Sequence, residues 1–167
     1  MTGKADHSRR NFLYVAAGGL GAVAAGATAI PFVGSMFPAA DTLAAAKTEF
    51  DISTVAEGQL VVIQWQGKPV FILRRTKKQI TTMETSDGGK DPQADSERVQ
   101  NPDWLIVVGL CTHLGCVPSR KKDGWFCPCH GSVYDNSGRI LTGPAPRNLD
   151  LPPYEFLSSD KIIIGKA

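Results

Sequence analysis

Hydrophobic and polar positions divide the chain into three stretches. From Asn11 to Phe37, 27 consecutive residues carry no charge. A helix of that length is about 40 Å long, more than the roughly 30 Å hydrocarbon core of a bilayer. Gly18, Gly19, Gly21, Gly26 and Gly34 keep the stretch only mildly hydrophobic, and Pro31 should kink it or mark its weaker end. The pattern predicts a transmembrane helix over 11–37. The alternative is a cleaved signal peptide with small residues at Phe37-Pro38-Ala39-Ala40, although the stretch exceeds the usual apolar signal core of about 7–15 residues. Residues 38–47, PAADTLAAAK, form the linker, either a short helix or a flexible tether.

From Thr48 the pattern changes to short β-rich runs. Leu60–Trp65 and Pro69–Leu73 flank Gln66-Gly67-Lys68 and read as a hairpin. Residues 74–103 are polar and predict an excursion with one short helix. Trp104–Leu110 reads as a buried strand whose end delivers Cys111. Ile140-Leu141 and Lys161–Ile164 are further strands, separated by Gly143-Pro144-Ala145-Pro146 and Leu151-Pro152-Pro153. Short strands and Gly/Pro turns predict a mostly β head over 48–167.

The formal charge of +2 is small but unevenly placed. Lys4, Arg9 and Arg10 outnumber Asp6 in residues 1–40, and the remainder balances at zero. No basic face of a nucleic-acid binder is present. The charge instead predicts that residues 1–10 stay in the cytoplasm and the head lies across the membrane. Ser8-Arg9-Arg10-Asn11-Phe12-Leu13 resembles a twin-arginine export signal, the alternative being a plain positive-inside anchor.

All four cysteines, Cys111, Cys116, Cys127 and Cys129, fall within 19 positions, beside two of the three histidines. A general disulfide framework would spread its cysteines, so the crowding suggests a metal centre. Cys111-Thr112-His113 and Cys127-Pro128-Cys129-His130 give C-x-H and C-x-x-H in tandem. Thiolate with imidazole suits iron or zinc. A structural zinc site usually pairs C-x₂₋₄-C with H-x₃₋₅-H, whereas here each loop offers one Cys and one His, a division that suits two irons.

CTHLGC and CPCHGS resemble the two cluster-binding boxes of high-potential Rieske proteins. The resemblance implies that a [2Fe–2S] cluster is held by Cys111 and Cys127 on one iron and by His113 and His130 on the other. It implies a Cys116–Cys129 disulfide between the loops. It also implies that the hydroxyls of Ser132 and Tyr134 hydrogen-bond to a bridging sulfide and a cysteine sulfur, which raises the reduction potential. Imidazole ligation itself places such centres at roughly −150 to +300 mV, against about −400 mV for plant-type ferredoxins. Gly143, Pro144, Ala145 and Pro146 resemble the family's proline loop, which covers the centre's third side. Leu114 and Gly115 would form an apolar docking tip.

The second cysteine pair and the anchor argue against oxygenase-type Rieske proteins. Arg75–Ile80, Asp91–Val99, Pro102-Asp103-Trp104 and GPAPRNL at 143–149 resemble α-proteobacterial and mitochondrial subunits of ubiquinol–cytochrome c reductase, the cytochrome bc1 complex. That resemblance implies a proton-translocating oxidoreductase in a bacterial inner membrane, with cytochrome b, cytochrome c1 and ubiquinol as partners and a dimeric assembly. His130 would take the quinol's hydrogen bond, then its electron and proton. The fold implied is an antiparallel β head with a cluster-binding subdomain over 106–149, swinging on the 38–47 tether. The alternative function is an electron-transfer subunit of another periplasmic oxidoreductase, such as an arsenite oxidase. One departure stands out: few residues separate Cys116 from Cys127, and Ser119-Arg120-Lys121-Lys122-Asp123 reads as a compact basic turn.

Overall fold

The computed structural model describes residues 3–38, 42, 46–86 and 88–165. The chain divides into two units, Met1–Leu43 and Ala44–Ala167. The first is dominated by one helix, α1 (Gly3–Gly34), whose stretch His7–Gly34 is long and apolar enough to cross a membrane. Phe12, Leu13, Tyr14, Val15, Leu20, Val23 and Ile30 are all exposed on it, so no protein surface in this unit accounts for their apolar character. Pro31 is accommodated in the last turn, where its carbonyl still accepts from the Ser35 amide at 2.9 Å. The helix begins ahead of the uncharged stretch and includes Arg9 and Arg10; Arg10 Nη2 lies 2.8 Å from His7 Nδ1. Most of the 38–47 linker (39–41 and 43–45) lies outside the described residues.

The second unit is built of antiparallel strands in three small sheets. The first joins β1 (Thr48–Asp51), β10 (Lys161–Ile164) and β9 (Tyr154–Phe156), with β10 in the middle. The second is β2 (Leu60–Trp65), β3 (Lys68–Arg74) and β4 (Trp104–Val108). Gln66 and Gly67 close its hairpin with φ of 49° and 72°, the two left-handed residues of a type I′ turn, whose twist matches that of the strands. The third contains β5 (Ser119–Lys121), β6 (Gly124–Phe126), β7 (Val133–Tyr134) and β8 (Ile140–Thr142) in sequence order. The mostly β expectation is met.

Strands β3 and β4 of the middle sheet are buried on both faces while β2 is partly exposed, and period-2 alternation sorts the buried side chains into two cores. Val70, Ile72, Trp104 and Ile106 point into the base core with Ile52, Val55, Tyr154, Ile162 and Ile164. Phe71, Leu73, Leu105 and Val107 point the other way, into a core shared with Cys111, Cys127, Trp125, Tyr134, Ile140, Ala145 and Leu149. This explains why Trp104–Val108 reads as an unbroken apolar run: every residue in it is buried.

The polar excursion after β3 holds α2 (Lys77–Glu84), started by a reciprocal capping box between Thr76 and Gln79. It also holds a single 3₁₀ turn at Asp95–Glu97. The excursion is fastened inward by buried charge. Arg75 Nη1 pairs with Asp95 at 2.8 Å, and Asp95 also accepts from the Ser137 hydroxyl. Arg98 donates to the carbonyls of Ser137 at 2.6 Å and Leu149 at 2.7 Å. Arg139 pairs with Asp135 at 2.7 Å and donates to the Gln93 carbonyl at 2.9 Å. Burial lowers the Arg98 pKa, with neighbouring Asp135 acting in the opposite sense.

The basic segment 119–123 differs from its expected form. It is not a simple turn: Ser119–Lys121 is a strand paired with Gly124–Phe126. The Arg120 guanidinium stacks over Trp125 at 4.7 Å and donates to Asn136 Oδ1 at 2.7 Å, so this cation is a packing element.

Candidate metal centre

Strand β4 ends at Val108, two residues short of the expected Leu110, and leads through Gly109 and Leu110 into the first cysteine loop, whereas β6 runs directly into the second. The two loops close in the same way. In the first, the Cys111 amide donates to the Cys116 carbonyl at 2.7 Å and the Gly115 amide donates back to Cys111 at 2.8 Å. In the second, the Cys127 amide donates to the Ser132 carbonyl at 2.8 Å and the Gly131 amide donates back to Cys127 at 3.0 Å. Gly115 and Gly131 occupy matching left-handed positions, with φ of 80° and 78°, where a Cβ would be strained. The loops are thus structural twins offset by one residue in their histidines. This equivalence makes sense of C-x-H facing C-x-x-H.

Twin loops bring the six Cys and His side chains together. Cys116 and Cys129 are disulfide-bonded, with Cα atoms 6.6 Å apart. Their sulfurs lie near that of Cys127, but once bonded to each other they are no metal ligands. Cys111 and Cys127 are buried free thiols, each of which acts on the other's pKa. The Nδ1 atoms of His113 and His130 lie 3.2 Å apart, their rings nearly perpendicular at 89°. Two nitrogens bound to one tetrahedral metal at about 2.1 Å would lie about 3.4 Å apart, so the pair has metal-sharing geometry. His130 is exposed and His113 half-buried, while both free thiols are buried.

Electrostatics distinguish the two thiols. Burial pushes Cys111 up, but hydrogen bonds from Tyr134 and the His113 amide outweigh it and lower its pKa. At Cys127 burial prevails and Cys111 adds to it, so the pKa is raised despite amide hydrogen bonds from Cys129 and His130. Tyr134 is pushed up to about 12, first by burial and then by its bond to Cys111. Amide and hydroxyl donors aimed at sulfur are what a negatively charged metal–thiolate group requires. The donor set of two buried thiols, two adjacent imidazoles and inward-aimed donors therefore fits a [2Fe–2S] group of mixed ligation.

The neighbouring residues are placed as follows. The Tyr134 hydroxyl is 3.2 Å from Cys111 Sγ. Ser132 is fully buried, and its oxygen accepts from the Ala145 amide at 3.1 Å, leaving its own proton to donate. A Cβ on Gly143 would lie 2.5 Å from Ser132 Cα, so residues 143–145 press on the second loop. Leu114 is 71% exposed at the tip of the first loop. Three residues at the site were not singled out from sequence. Val117 is a second exposed apolar residue, 52% exposed, one residue beyond Cys116. Lys90 donates to the Gly143 carbonyl. Thr112 joins the Arg147 carbonyl, at 2.6 Å, to Tyr134. Only the position of Thr112, between two candidate ligands, could have flagged any of them.

A family model described as the Rieske [2Fe–2S] domain matches residues 48–155. The chain belongs to the Rieske iron–sulfur family. A second model, described as the TAT signal of the ubiquinol–cytochrome c reductase Fe–S subunit, matches residues 2–39. Together with α1 it marks a membrane protein with one N-terminal span. Among curated Rieske relatives, the ubiquinol–cytochrome c reductase iron–sulfur subunit of Rhodospirillum rubrum is 49% identical, covering 96% of this chain and 93% of that one. The subunit of the same name from Blastochloris viridis is 52% identical over 96% and 94%. The mitochondrial Rieske subunit of the cytochrome b–c1 complex of Solanum tuberosum is 50% identical over 96% and 63%. Among solved structures, a chain of a hyperthermophilic respiratory complex III matches with a TM-score of 0.58 and 34% identity, over 89% of this chain and 98% of that one.

Proposed function

We propose that this Rieske protein carries single electrons from ubiquinol to cytochrome c1 within a cytochrome bc1 complex, beside cytochrome b. The observation that carries this reading is the pair of imidazole nitrogens 3.2 Å apart on an exposed tip, above two buried thiols. When bound, a [2Fe–2S] cluster supplies one-electron chemistry at a potential raised by its imidazole ligands. Cys111 and Cys127 would hold one iron, and His113 and His130 would hold the other.

The chain's own residues define how substrate meets this site. Nδ1 of His130 faces His113, which leaves Nε2 on the outer edge of the ring; once Nε2 has lost its own proton, which a ferric ion on Nδ1 would favour, it can accept the quinol hydroxyl's hydrogen bond and then its proton. Leu114 and Gly115 exclude water around that contact by seating in an apolar pocket of the partner. Tyr134 donates to Cys111, and Ser132, its oxygen held by Ala145, donates inward. Both stabilise added negative charge. Gly143, Pro144, Ala145 and Pro146 shield the flank.

The cluster-binding subdomain spans about 106–149 of a head over 48–167. The head lies on the periplasmic side of a bacterial inner membrane, with residues 1–10 cytoplasmic and the span over 11–37. It moves on a tether over 38–47, within a dimeric complex. Purification of the full chain from detergent-solubilised membranes tests the reading. Cytochromes b and c1 should accompany it, and the reduced sample should give the EPR signal of a Rieske centre. A colourless protein, or one recovered with a different oxidoreductase, would overturn it.

A further inference from the structure

The Tyr134 phenol has a second acceptor besides the Cys111 sulfur. Thr112 Oγ1 lies 3.3 Å from the Tyr134 oxygen, against 3.2 Å for Cys111 Sγ. The direction of each bond follows from proton counting. Thr112 Oγ1 is 2.6 Å from the Arg147 carbonyl, which can only accept, so the threonine's one hydroxyl proton goes there. Thr112 can therefore offer Tyr134 only lone pairs from its side chain. Its backbone amide meanwhile donates to the Tyr134 oxygen at 3.2 Å. The single phenolic proton is left between two acceptors at nearly equal distance.

We propose that Thr112 is a positioning residue that shares the Tyr134 proton with Cys111 and thereby limits how strongly the phenol stabilises charge on that sulfur. The inference rests on Cys111 being a cluster ligand. A three-centre hydrogen bond is weaker toward each acceptor than an undivided one. Negative charge added at the sulfur draws the proton toward it, and the threonine oxygen resists. Replacing that oxygen by a methyl group leaves the sulfur as sole acceptor. The collateral loss is small, because Arg147 is exposed and water can take up its carbonyl, and the Thr112 amide is untouched.

The test is a redox titration of the full chain in its membrane complex, followed by EPR. Thr112→Val should favour reduction by about threefold or more in equilibrium constant, where tenfold corresponds to about 59 mV for one electron. Thr112→Ser should leave the potential unchanged. In a Tyr134→Phe background, Thr112→Val should have no effect, since no proton remains to be shared. An unchanged or lowered potential in Thr112→Val would overturn the proposal. So would an equal shift in the Phe background, which would assign Thr112 to loop packing. If the valine variant assembles no cluster, Thr112→Ala reports the same sign, and loss of the cluster in both makes Thr112 a structural requirement and ends the proposal. A parent protein without a Rieske signal would instead defeat the ligand reading.

Discussion

The two faces of the middle sheet support cores of different kinds. The base core is filled by Ile52, Val70, Ile72, Ile106, Ile162 and Ile164, with Tyr154 and Trp104 at its margin. Apolar area dominates it, at roughly 25 cal/mol per Å² removed from water, with side-chain hydrogen bonds confined to its margin, where the Gln100 amide donates to the Tyr154 hydroxyl. The opposite core contains two free thiols and a phenol among its members and is rimmed by a disulfide. Hydrogen bonds from Arg98 to the Ser137 and Leu149 carbonyls, and from the Ser137 hydroxyl to Asp95, fasten the segment around Arg75, Asp95 and Arg98 to residues 135–149 beside it. Apolar packing specifies volume loosely, whereas ligand geometry tolerates errors of only about 0.2 Å. The side that must hold a metal is accordingly built from directional bonds and a covalent link.

The contrast can be broken at three levels. The largest effect is expected from His130→Ala, which should abolish the Rieske EPR signal altogether. Hydrogen exchange should then quicken around the cysteine loops while amides of β1, β9 and β10 keep their protection. Uniform loss of protection would mean that the two cores are not separable. Next, Cys116→Ser should cost about 3 kcal/mol in the chain-entropy account of a loop of this size, read as a lower denaturation midpoint. The exchange pattern should again localise the loss to the cysteine side; a cost below a few tenths of a kcal/mol would show that the link adds nothing to the loops' own hydrogen bonds. The smallest effect belongs to Ile106→Val in the base core, at about 0.5–1.5 kcal/mol, with the reduction potential unmoved. A shifted potential in that variant would reveal strain passing through the sheet.

The same contrast governs what the sequence disclosed. Leu60–Trp65 with Lys68–Arg74, and Trp104–Val108, are long enough to show a pattern, and they are strands. Val133–Tyr134 is two residues long, and Ser119–Lys121 three and polar, so neither can display alternation. They are held by neighbours brought close through the twin loops. The cysteines and histidines were legible because metal chemistry restricts residue type and spacing together. The bonds around them were not. Thr112 meets Arg147 across 35 positions and Arg98 meets Leu149 across 51, and each uses a backbone carbonyl that carries no residue signature. The buried arginines of the polar excursion likewise read as solvated charge until packing supplied their partners.

Only Gly109 and Leu110 separate strand β4 from the first loop, and the Gly109 amide is itself held by the Pro69 carbonyl, so the pairing of Phe71 with Val107 and of Val70 with Val108 also decides where Cys111 emerges. A slip of one residue would displace that sulfur by about 3.3 Å and turn each side chain to the wrong face. Such a chain could collapse and still never acquire colour. Cofactor capture thus acts as an inspection of strand alignment, and absorbance in the visible counts the molecules that passed.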